Sequence, residues 1–160
     1  MTAAKLVKER LPGDRYKTSG SIEGLVEGRR TIRELRIRNA EGSLEALGAL
    51  SSLEAVAIEG AHSLELGSLA ALPPTCRRVS LGRLNDSDLS ALRLPSGVTD
   101  LSFSDCADSC SVNGPLHLPT TLRVLEISAT THRGSARVVA ALTAAIEWSE
   151  ISDLEILDLR

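Results

Sequence analysis

Aromatic side chains are almost absent from this 160-residue chain, which holds one Trp, one Tyr and one Phe. A core built on large rings is thereby excluded, and the interior has to be packed with aliphatic residues. A basic excess is lacking too. The net charge of −3 argues against a nucleic-acid partner, whose binding surface needs a marked positive surplus. No apolar run approaches the roughly 18 residues that cross a bilayer, so no membrane partner is expected. The N-terminus "MTAAKLVKERLPG" lacks the apolar stretch of about 7–15 residues found in secretory signals. An intracellular, cytoplasmic protein of one domain is expected from these absences and from the length.

Cysteine is scarce and odd in number: Cys76, Cys106 and Cys110 offer no disulfide framework, which fits a reducing compartment. The pair in "CADSC" has no second ligand pair to complete a tetrahedral site. His62, His117 and His132 fall in turn-like stretches, with no second histidine at metal spacing and no H-E-x-x-H. Neither metal nor cofactor is expected. Serine and aspartate cluster in "DSDLS" and "SFSDCADSCS", but no G-x-S-x-G elbow frames a nucleophile. Such residues in turns bond the local backbone. Phosphate-binding G-x-x-x-x-G-K-[ST] and G-x-G-x-x-G patterns are missing as well. Catalysis is therefore not expected.

What the chain does have is a repeat. The pattern apolar, two residues, apolar, one residue, apolar recurs in "IRELRI", "LEAVAI", "CRRVSL", "VTDLSF", "LRVLEI" and "LEILDL". Its first positions are Ile32, Leu53, Cys76, Val98, Leu122 and Leu154, at successive spacings of 21, 23, 22, 24 and 32. A second series of leucines lies between these cores: Leu44, Leu47 and Leu50, then Leu66, Leu69 and Leu72, then Leu89, Leu92 and Leu94. Each unit is thus expected to hold a short strand, a turn, and a return segment whose apolar residues face the strand.

This organisation resembles the leucine-rich repeat, whose unit runs about 20–29 residues around an L-x-x-L-x-L core. The resemblance covers residues 31 to 160. "LPPT", "LPSG" and "LPTT" before three of the strands look like the Leu-Pro turns of some short bacterial and protist members. The family's Asn or Cys, three residues after the last strand leucine, is mostly replaced: those positions read Ala40, Ala61, Leu84, Cys106 and Thr130. With that polar ladder gone, the turns must find hydrogen bonds elsewhere.

The resemblance implies an α/β leucine-rich-repeat solenoid, with a parallel sheet of about six strands on the concave side. Strands are expected near 33–38, 54–59, 77–82, 99–104, 123–128 and 155–159. Loops and short turns back them on the convex side, with one C-terminal helix in "GSARVVAALTAAIEWSE". There Val138, Val139, Leu142, Ala145 and Ile146 share one face and Ser135 is placed to start the helix. Residues 1–30 are expected to form an N-terminal cap with a degenerate repeat, Leu11 and Tyr16 taking the first and third apolar positions. At the other end, an apolar strand with an open edge is a pairing hazard. Either the natural chain continues past Arg160 or another molecule covers the edge, a second copy included.

Function is expected to lie on the strand residues between the apolar ones. On the concave face these include Glu34, Arg36, Arg38, Glu59, Arg78, Asp100, Val124, Glu126, Ile156 and Asp158, with Arg29, Arg30 and Arg33 adding to a basic N-terminal end. The middle is small, and the C-terminal side is acidic with two aliphatics. Trp148, about 120° from the centre of the helix's apolar face at 100° per residue, is a rim residue or a convex anchor. A non-catalytic module or scaffold binding another protein is expected. The alternatives are the substrate-recognition region of a larger ligase-type effector, or a self-associating subunit that dimerises through the C-terminal edge strand.

Overall fold

The computed structural model describes residues 9–11, 15–19, 31–128 and 135–159. Eight strands occur: β1 (Glu9–Leu11), β2 (Arg15–Ser19), β3 (Glu34–Arg38), β4 (Ala55–Glu59), β5 (Arg78–Gly82), β6 (Asp100–Ser104), β7 (Val124–Ser128) and β8 (Ile156–Leu159). They form one sheet in chain order. β1 is antiparallel to β2, and every later neighbour is parallel. The fold is α/β. Leu35, Val56, Val79, Leu101, Leu125 and Leu157 occupy one row across β3 to β8, as the repeat alignment requires.

Alternation explains each strand. In β3, β4, β6 and β7 the second and fourth residues are buried and the other three are not, which is the period of two of a half-covered sheet. What ends β3 to β6 is a residue with positive φ: Asn39 at 53°, Gly60 at 67°, Arg83 at 51° and Asp105 at 50°. Gly, Asn and Asp tolerate that region. Arg83 does not share the tolerance, and its backbone N–H is anchored to the Ser104 carbonyl at 2.8 Å.

The turns satisfy their backbone without the polar ladder. Ala40, Ala61, Leu84 and Cys106 are buried, and the N–H groups of His62, Asn85 and Ala107 donate to the carbonyls of Ala40, Ala61 and Leu84 in the preceding unit. Two buried serines add side-chain bonds. Ser68 Oγ accepts from Leu44 N at 2.8 Å and donates to Glu65 O, while Ser87 Oγ accepts from Leu64 N at 3.3 Å and donates to Asn85 O. Asp88 Oδ1 caps the following turn by accepting from Ser90 N at 3.0 Å and Ser90 Oγ at 2.6 Å, and the hydroxyl bond above all holds its carboxyl below the usual carboxylate range.

The return segments are 3-10 turns at Glu45–Ala49, Leu66–Ala71 and Leu89–Ala91. Their leucines are buried against the strands, except Leu94, which is only partly covered. Adjacent returns pack closely: a Cβ on Gly48 would stand 2.5 Å from the Ala71 carbonyl oxygen. Helix α1 (Ser135–Ala145) begins at the expected serine and buries Val138 and Leu142. Among the described residues no helix is long and apolar enough to cross a membrane.

The six expected parallel strands are β3 to β8, and Glu9–Leu11 and Arg15–Ser19 pair beyond them at the N-terminal edge. One expectation needs correction. Tyr16 stands opposite Leu35, the second apolar position rather than the third. Leu11 lies on β1, antiparallel to β2, an arrangement that a repeat alignment passes over. The rest of the expected cap, together with Arg29, Arg30, Thr130, His132 and Arg160, lies outside the described residues.

Candidate functional site: the open face of the sheet

Because the inward residues of each strand fill the core, the intervening residues build the opposite face in three rows. The first runs Glu34, Ala55, Arg78, Asp100, Val124, Ile156, and the second Arg36, Ala57, Ser80, Ser102, Glu126, Asp158. The third runs Arg38, Glu59, Gly82, Ser104, Ser128. A groove of about 520 Å³ crosses β3 to β7 over the first two rows. Its floor is shallow because the central side chains are Ala55, Ala57, Ser80 and Ser102. Ser102 Oγ bonds Ser80 Oγ at 2.9 Å, which ties the floor across two strands. At Gly82 even a Cβ would meet Ser104 Oγ at 2.8 Å.

Charge is organised at one end around a single carboxylate. Half-buried Glu59 receives Arg36 at 3.7 Å, Arg38 at 3.2 Å and Arg83 at 3.3 Å. Three guanidiniums against one carboxylate leave a local positive surplus with its donors held in place. Arg78 reaches back across two strands to Glu34 at 3.4 Å. Toward the other end stand Glu126, without an ion pair among the described residues, and Asp158. The open face is therefore bipolar, basic where Arg36, Arg38 and Arg83 meet Glu59 and acidic at Glu126 and Asp158 on β7 and β8.

The structure brings Glu34, Arg36, Arg78, Asp100, Val124 and Glu126 together along the groove. Arg38 and Glu59 border it from the third row. Arg33 stands apart, before β3, paired with Glu54 at 3.5 Å. Ile156 and Asp158 lie on the edge strand, Ile156 being 52 % exposed. Trp148 is not on α1, which ends at Ala145. It sits in a short 3-10 turn with its indole N–H donated to Thr143 O at 3.1 Å, so an angle extrapolated along the helix does not apply. Arg83 was missed, since it lies one residue beyond its strand. Its signal was position alone, directly after a repeat strand where Asn, Gly and Asp stand in neighbouring units.

The cysteines lie behind this face, in the core. All three are buried thiols. Burial pushes Cys76 up to about 11 and Cys106 up to about 12, and raises Cys110 as well. Protonated thiols of this kind are poor nucleophiles and poor ligands.

No family model, no curated protein and no solved structure matches the chain.

Proposed function

We propose that the protein is a leucine-rich-repeat solenoid acting as a non-catalytic interaction module, with another protein as its partner on the open, concave face of the sheet. One observation carries this reading: a groove with a small-residue floor runs across five strands between ends of opposite charge. Small side chains let a partner's backbone approach closely. The charges then set its direction, an acidic stretch lying over the Arg36, Arg38 and Arg83 cluster and a basic one over Glu126. Affinity comes mainly from arginine, because the groove holds no Trp or Tyr.

Reversing Arg36 and Arg38 to Glu tests this. Exposed ion pairs contribute about 0–1 kcal/mol each, so the double variant should melt within a few degrees of the parent. Capture of an acidic partner should fall sharply at low salt, with the difference narrowing as salt screens both forms. Capture unchanged by the reversal would remove the basic end from the site.

A second reading is favoured by the edge strand. Ile156, Leu157 and Leu159 are 52, 46 and 44 % exposed, and among the described residues no strand pairs beyond β8. A second copy related by a two-fold axis would pair there antiparallel. Sedimentation from micromolar to hundred-micromolar concentration should then show a dimer whose share grows with concentration. A strict monomer throughout would leave only the groove.

A further inference from the structure

We propose that His117, Glu147 and Glu150 form a site for a divalent transition-metal ion, on the return-segment side of the core rather than on the open face. Their ligand atoms all lie within 4.8 Å of one another. The sequence hides this cluster, because about thirty residues separate the histidine from the carboxylates.

The backbone assembles it. Leu116 forms a parallel bridge with Ile146, and its N–H donates to Ala145 O at 2.8 Å. Leu116 and Leu118 are both buried, which leaves the side chain of His117 between them at the surface. On the facing segment Ile146 and Ile151 are buried, fixing both ends of the stretch that carries the glutamates. The 3-10 turn Trp148–Glu150 lies inside it, with Glu150 N donating to Glu147 O at 3.0 Å. Residues three apart eclipse in such a turn, so Glu147 and Glu150 share one side. The main chain beneath the three groups is thus set by packing and hydrogen bonds, while the groups themselves are exposed.

Coordination asks for a small movement only. Bonds of about 2.1 Å in a tetrahedral site place ligand atoms roughly 3.4 Å apart, and exposed side chains close that gap by changing rotamer. One imidazole with two carboxylates suits zinc, cobalt or nickel over magnesium or calcium, which prefer oxygen alone. Two carboxylates also match the charge of a dication. Three protein ligands leave the remaining positions to water. Bound there, the ion would clip the turn before β7 to the segment after α1.

The sole tryptophan, Trp148, lies between the two glutamates and reports on the site. The tag-free full chain should be titrated with cobalt(II) or nickel(II) at neutral pH, following tryptophan fluorescence and binding heat together. One-to-one saturable binding with quenching is expected. His117→Ala, and separately Glu147→Gln with Glu150→Gln, should each lower affinity by at least the roughly 10–100-fold that loss of a supporting group costs a metal site. Millimolar magnesium should not compete. Because all three side chains are exposed, the variants should melt with the parent. Absence of saturable binding, unchanged affinity in either variant, or displacement by magnesium would overturn the proposal.

Discussion

Leu101→Ala should destabilise the protein by about 2–5 kcal/mol, whereas Leu157→Ala, at the same position of the same motif, should cost less than about 1 kcal/mol. Leu101 is 1 % exposed between β5 and β7, and Leu157 is 46 % exposed on β8. Truncating the first opens a cavity inside a packed interior. Truncating the second removes atoms that water already touches. For a chain of this size the first change should lower the melting temperature by roughly 5–15 °C. Equal shifts for the two variants would mean either that Leu101 is not between neighbours or that the outer edge of β8 is covered in solution.

Stability should also fall steeply above pH 9, through Cys76 and Cys106. An unfolded thiol ionises near 9.0, but burial pushes these two up to about 11 and about 12. Between those values the unfolded chain has released protons that the folded chain retains. The contribution is therefore fully present below about pH 9 and is lost as pH rises through the folded values, at about 1.4 kcal/mol per pH unit for each thiol. Urea melts from pH 8 to 11 should show the decline, and Cys76→Val with Cys106→Ala should flatten it. An unchanged slope in that variant would show that other groups govern alkaline unfolding.

Much of the fold was legible because repetition amplifies a weak signal. One L-x-x-L-x-L is ambiguous, but six copies, five of them 21 to 24 residues apart, settled strand, face and register, and each strand from β3 to β8 starts one residue later than the pattern indicated. The helix was legible too, since Val138 and Leu142 recur at helical spacing, although Ile146 falls just past its end in the bridge to Leu116. Non-local chemistry was not. Glu59 gathers arginines from β3 and from the turn after β5, and no spacing rule links Arg83 to Arg36. His117 meets Glu147 and Glu150 only because Leu116 bridges Ile146. The antiparallel pairing of β1 with β2 escaped because such a pairing has no place in a repeat alignment. Ser68 and Ser87 escaped because no local pattern marks a serine that bonds the backbone of the preceding unit.

If a partner binds in the groove on the open face, as proposed, filling the groove should expel it. Ser80 lies at its centre, and Ser80→Trp would place a ring over a floor now shallow enough for a backbone to cross. Arg137→Glu, on the exposed side of α1, serves as the control. Quantitative affinity capture with the parent chain and these two variants as baits, each checked for an unchanged melting temperature, gives the comparison. The expected result is a partner that the parent and the Arg137 variant retain and the Ser80 variant loses. A partner retained by Ser80→Trp and lost by Arg137→Glu would contradict it and move the binding surface to the helical side.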